Sequence, residues 1–177
     1  MARYLSSGFR GKSCLCDGLF KGFKWGDLRR LSSKELPTKP GVYVLRLVVN
    51  EYVGPADLRE RVGKAYSKAS ALLDKAGWRE LSNYFGKRVE RIRRIDPVKC
   101  PVIYIGATGK GTGTLRSRFR DLAGLRHTIF YPVFSLILAG WDIDFGWTEA
   151  EDAFNVESRL KRQYIEVHGD MPALNKG

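Results

Sequence analysis

The sequence predicts an α+β domain, and three observations carry that prediction. Short runs rich in β-branched and aromatic residues occur at 42–49, 102–106 and 141–147, each bordered by glycine, proline or asparagine. Between and after them, apolar residues recur at helical spacing. The chain has 177 residues, 44% of them hydrophobic and 12% aromatic, which suffices to bury a core as one domain.

Residues 1–36 mix Phe9, Phe20, Phe23 and Trp25 with Arg10, Lys12, Lys21 and Lys24. They form either an N-terminal arm or small hairpin packed on the domain, which we favour, or a basic aromatic strip that touches nucleic acid. The first strand, 42–49, follows Pro40-Gly41 and stops at Asn50. From Pro55 to about Asp96 the period becomes helical: Leu58, Val62, Ala65, Ala69, Leu72 and Leu73, then Leu81, Phe85, Val89 and Ile92. Gly77 divides this stretch into two helices. The second ends in a basic cluster, Lys87, Arg88, Arg91 and Arg94, which is either a solvated face suited to the helix dipole or a phosphate contact.

Strand 102–106 leads through Gly109-Lys-Gly-Thr-Gly113 into a helix from about Thr114 to Leu122. The glycines match neither a P-loop, because Lys110 precedes Gly111, nor a dinucleotide fingerprint, which needs a third glycine. A flexible turn with Lys110 near a site remains. The apolar stretch 129–139 is too short to span a bilayer and predicts a buried helix. After the strand at 141–147, Thr148-Glu-Ala-Glu151 predicts a capping box for a last helix that runs to about His168, where Gly169 stops it.

Lysine and arginine number 31 against 19 aspartate and glutamate, a net charge of +12, which favours a polyanionic partner: nucleic acid first, anionic membrane second. Cys14, Cys16 and Cys100 are too few and irregular for a disulfide framework, so a reducing, cytoplasmic setting is expected. Cys14-Leu-Cys16 lacks a second ligand pair at finger-like spacing, with only His127 and His168 available, so no structural zinc is expected. No signal-peptide-like apolar stretch opens the chain.

Two charges break the apolar pattern. Glu157 shares a helical face with Ala153, Phe154, Leu160 and Tyr164, and Arg118 sits on a stripe with Leu115 and Leu122. An inward-facing carboxylate must be paired, protonated or metal-bound, because an isolated buried charge costs several kcal/mol. The bland alternative is a buried bridge between Glu157 and Arg118. Tyr43 and Tyr104 are explicable as core rings with their hydroxyls satisfied at an edge. Converging with the two charges, a tyrosine hydroxyl becomes a candidate proton acceptor or orienter of water.

The set Leu36-Pro-Thr-Lys-Pro-Gly-Val-Tyr43, Tyr104-Ile-Gly106, Leu115-Arg-Ser-Arg118, Glu157 and Pro172-Ala-Leu-Asn175 resembles the GIY-YIG nuclease family over roughly residues 36–177. No single triplet is specific; the five elements in order carry the resemblance. It implies a small three-stranded antiparallel sheet flanked by helices, with residues 50–100 as a helical insertion between the first two core strands. It also implies hydrolysis of DNA with one divalent metal, Mg2+ (or Mn2+), leaving 5′-phosphate and 3′-hydroxyl ends. Glu157 would hold the metal and Arg118 the scissile phosphate. Tyr43 would be the general base or its assistant, Tyr104 would orient water or phosphate, and Asn175 would support the metal end. Lys110, Arg116, Lys87, Arg88, Arg91 and Arg94 are the basic candidates for DNA contact.

The chain departs from the family pattern in three places. About fifty residues separate the two tyrosine motifs, Leu122 stands where many members carry histidine or tyrosine, and the span from Glu157 to Asn175 is long. The leading expectation is a restriction-like endonuclease that reads duplex sequence, the insertion supplying recognition. A structure-specific repair or recombination nuclease and a non-catalytic nucleic-acid-binding module are the alternatives. A one-site chain must nick twice or pair with a second copy to break a duplex, which makes a homodimer an option.

Overall fold

The apolar run expected at 42–49 supplies an inner strand of the sheet over Gly41–Val48, with Val49 outside the described residues, because both of its faces can be covered. Val42 and Val44 point to one side, and Tyr43, Leu45 and Leu47 to the other. The computed structural model describes residues 14–48, 55–92, 100–109, 113–124, 126–127 and 129–175. In chain order its main elements are β1 (Lys24–Asp27), β2 (Gly41–Val48), α1 (Pro55–Lys75), α2 (Arg79–Ile92) and β3 (Val102–Ala107). There follow α3 (Leu115–Ala123), α4 (Phe130–Leu138), β4 (Asp142–Glu149) and α5 (Ala153–His168).

All strand pairings are antiparallel and the order is β1-β4-β2-β3. The sheet has four strands where three were expected. The addition, β1, lies in the stretch whose composition suggests an N-terminal arm or hairpin, and it is too short and polar to show an apolar alternation. It is held on β4 by Trp25, whose ring lies so close over Gly146 that a Cβ there would stand 2.5 Å from it. Phe20 is buried nearby and meets Phe23 edge-on at 5.6 Å, so this part of the arm is packed. Phe9, Arg10 and Lys12 lie outside the described residues.

Helices α1 and α2 fill the interval between the paired strands β2 and β3. Val62, Ala65, Ala69 and Leu73 form the buried stripe of α1, but Leu72, expected with them, is 61% exposed. A one-residue step turns the side chain by about 100° and carries Leu72 off the face. Gly77 separates the helices with φ of 76°, a left-handed value that only glycine adopts readily. Of the stripe expected on α2, Leu81 packs against the core; the side chains of Phe85, Val89 and Ile92, like that of Leu58 on α1, lie outside the described residues.

Thr114 and Ser117 cap α3 reciprocally, and Leu115, Phe119 and Leu122 bury its inner face. The capping box expected at Thr148-Glu-Ala-Glu151 does not form, because Thr148 and Glu149 continue β4 opposite Val42 and Gly41. Asp152 caps α5 instead, accepting from the Asn155 N–H at 3.2 Å, and Gly169 ends the helix with φ of 75°. Phe154, placed on the apolar stripe by spacing, is 41% exposed.

Two cores result. Tyr43, Leu45, Leu47, Ile103 and Phe145 pack beneath α1, α3 and α4. Val42, Val44, Val102 and Ile105 pack with Cys14, Cys16, Phe20 and the Ala153, Leu160 and Tyr164 face of α5. Among the described residues, no helix is long and apolar enough to cross a membrane.

Candidate active site

Gly41 opens β2 where a side chain could not fit: a Cβ would lie 2.2 Å from the Thr148 carbonyl oxygen and 2.7 Å from Leu115. Tyr43 follows on the next inward position, 1% exposed, its ring stacked on Phe145 at 5.5 Å. Its partner in β3 is Gly106. A Cβ there would stand 2.5 Å from the Tyr104 ring and 2.8 Å from the Tyr43 hydroxyl. The second glycine is thus what lets the two tyrosine rings sit 5.7 Å apart.

The Tyr43 hydroxyl is the centre of the cluster. It lies 3.0 Å from Nε2 of His127, whose Nδ1 accepts the Ile129 N–H at 3.3 Å. This pattern assigns the ring proton to Nε2, which donates to the tyrosine oxygen. Burial, and after it the charge of Arg118, holds His127 down at about 4, so the imidazole is neutral at pH 7. Burial also drives Tyr43 well above the ordinary tyrosine value, and its interaction and hydrogen bond with Tyr104 act the same way. The positive charge of Arg118 opposes this shift and the negative charge of Glu157 adds to it. Both charges are therefore felt at one hydroxyl.

Arg118 and Glu157 each turn to their own helix for a partner. Arg118 on α3 meets Asp121 at 3.7 Å with its side chain 28% exposed. Glu157 on α5, 14% exposed, is paired with Lys161 at 2.5 Å. The direct Arg118–Glu157 bridge that would have been the bland explanation does not form. Gly109, just after β3, passes so close to Arg118 that a Cβ there would lie 3.1 Å from Nη2.

The other expected site residues fall elsewhere. Asn175 is buried beside β3, where its Oδ1 accepts the Ile105 N–H at 3.0 Å and its Nδ2 donates to the Ile105 carbonyl at 2.7 Å. It clamps the free edge of the strand that carries Tyr104. Arg116 donates from Nε to the Leu36 carbonyl at 3.0 Å and from Nη2 to the Lys34 carbonyl at 3.2 Å, tying α3 to the segment before β2. Lys87 is exposed on α2. Lys110 and Arg94, and the side chains of Arg88 and Arg91, lie outside the described residues.

His127 was not picked out by sequence. It stands in an irregular segment after α3, where no periodicity marks it. Its being one of two histidines was the sole signal.

A second cluster brings the cysteines together with a histidine, although no second ligand pair stands at finger-like spacing in the sequence. Cys14, Cys16, Cys100 and His168 place their ligand atoms within 4.8 Å of one another. Spacing along the chain could not register this grouping, since the fold supplies Cys100 from just before β3 and His168 from the end of α5. The three cysteines are free and buried. Hydrogen bonding from Cys16, and to a lesser degree from Tyr164, holds the Cys100 thiol at about 6 against the opposing effect of burial.

No family model, curated protein or solved structure matches this chain.

Proposed function

We propose that the chain is a metal-dependent DNA endonuclease of the GIY-YIG type, hydrolysing phosphodiester bonds in duplex DNA at a preferred sequence. The observation that carries this reading is the packing of the Tyr43 and Tyr104 rings 5.7 Å apart over Gly106, with the charges of Arg118 and Glu157 acting in opposite senses on the Tyr43 hydroxyl. The net charge of +12 suits a phosphate backbone as partner.

In this reading Glu157 would hold a Mg2+ or Mn2+ ion in place of its pairing with Lys161. Such ions keep several waters and bind through one or two carboxylates plus substrate phosphates, and a single largely shielded carboxylate on a rigid helix meets that need. A bound ion would supply Lewis-acid stabilisation of the phosphate charge. The chain's own groups do the rest. Arg118 holds the scissile phosphate and stabilises the charge that builds on its oxygens. Tyr104, only partly buried, orients the attacking water through its hydroxyl. Tyr43 assists as a neutral hydroxyl, because its buried proton is held tightly, and His127 fixes its direction. Asn175 acts at one remove by fixing the β3 edge.

A non-catalytic DNA-binding module on the same fold has one observation in its favour: Lys161 occupies the Glu157 carboxylate. Incubation of the protein with plasmid and with flap and bubble oligonucleotides, in Mg2+ or chelator, separates the readings. Discrete Mg2+-dependent fragments support the proposal, cutting confined to flaps or bubbles supports a structure-specific repair nuclease, and DNA binding with no cutting supports the module.

A further inference from the structure

We propose that Cys14, Cys16, Cys100 and His168 form a structural zinc site that fastens the N-terminal segment and the end of α5 to the start of β3. Three neighbouring separations carry it. Cys14 Sγ lies 3.3 Å from Cys16 Sγ and 3.5 Å from His168 Nε2, and Cys16 Sγ lies 3.8 Å from Cys100 Sγ. A tetrahedral zinc with bonds of about 2.0–2.3 Å puts its ligand atoms roughly 3.5–3.8 Å apart. These three separations are near the tetrahedral values, and all four ligand atoms lie within 4.8 Å of one another, so a contraction of about 1 Å or less closes them around an ion.

The ligand set decides the metal. Thiolates are soft donors, so a Cys3His site selects zinc over the magnesium suited to Glu157. On binding, the three thiols release their protons to solvent and the imidazole coordinates in its neutral form. Packing alone explains the cluster poorly: thiols are weak hydrogen-bonding groups, and apolar side chains would fill the same space without bringing three sulfurs together.

Surrounding groups hold the ligands in place. The Cys14 N–H donates to Asp17 at 2.9 Å, and the Asp17 N–H donates to the Cys14 carbonyl at 3.0 Å, forming a tight knuckle. Tyr164 places its hydroxyl 3.1 Å from Cys100 Sγ, as an outer partner that supports a thiolate ligand. His168 sits in the last turn of α5, about three turns beyond Glu157. The proposed ion therefore anchors the helix that carries the candidate catalytic carboxylate, yet it is distinct from that site.

The test uses the intact chain, purified reduced and without chelator, and needs no nuclease assay. Elemental analysis should give about one zinc per chain. Replacement by Co2+ should give the visible bands of tetrahedral cobalt and a near-ultraviolet thiolate charge-transfer band. Cys100→Ser should lose the metal. His168→Cys, which retains four ligands, should keep it with an altered cobalt spectrum, separating loss of a ligand from loss of the fold. Trace zinc only, a stoichiometric metal other than zinc, or a folded reduced chain that gives no cobalt bands would overturn the proposal. So would a disulfide between Cys14 and Cys16 in the chain as purified under reducing conditions.

Discussion

Nε2 of His127 donates a hydrogen bond to the Tyr43 hydroxyl at 3.0 Å, and the ring faces both Tyr43 and Tyr104 edge-on, at 6.4 and 6.0 Å. A histidine outside the helices and strands thus meets the two tyrosines that β2 and β3 bring together. Its burial has a consequence for pH. The folded-state value, about 4, lies below the ordinary value of 6.5, so protonation favours the unfolded chain. The stabilising contribution is complete above pH 6.5 and is lost as pH falls toward 4. An NMR titration should place the His127 midpoint near 4, and urea midpoints should fall less between pH 7 and pH 4.5 in His127→Gln than in wild type.

Gly106 leaves no room for a methyl group between the tyrosines. Gly106→Ala should destabilise the chain by about 1–3 kcal/mol, the usual result of overpacking a filled core. Gly18→Ala is the control, since nothing lies within 4 Å of its Cβ position. Thermal unfolding of the two variants provides the comparison.

Asn175 satisfies both backbone groups of Ile105. Asn175→Ala should leave an N–H and a carbonyl without these partners, at about 1–3 kcal/mol for each group that finds no other. Hydrogen exchange at the Ile105 amide should quicken in the variant, while amides of the inner strand β2 change far less. Equal exchange would remove the clamp from the account.

Arg118 is the group proposed to hold the scissile phosphate. Arg118→Ala should lower the single-turnover cleavage rate by about 10²–10³-fold, as expected on losing one transition-state donor. Binding of the same duplex should be largely retained, because many other basic side chains contribute to it. Undiminished cleavage in the variant would take Arg118 out of the site.

Much of this architecture was legible in the residues. The β2 and β3 runs, the break at Gly77 and the end of α5 at Gly169 each have a local cause, an alternation or a glycine needed at positive φ. That Arg118 and Glu157 are largely shielded could be anticipated because each is a charge on an apolar helical face. What escaped prediction depends on partners distant in sequence. β1 pairs with β4 through residues more than a hundred positions away, with Trp25 lying over Gly146, and Leu72 is exposed because one residue step turns it from the face that meets α4. Cys14, Cys16, Cys100 and His168 show the same limit most plainly, since their ligand spacing exists only after folding.

Glu157 offers the most direct test of the functional account. Supercoiled plasmid should be nicked or linearised by the wild-type chain in Mg2+ and left intact in chelator. Glu157→Gln, which keeps the shape of the side chain and removes the charge that would hold the ion, should bind the plasmid and leave it intact in both. Cleavage by Glu157→Gln at the wild-type rate, or wild-type cleavage that persists in chelator, would contradict the account.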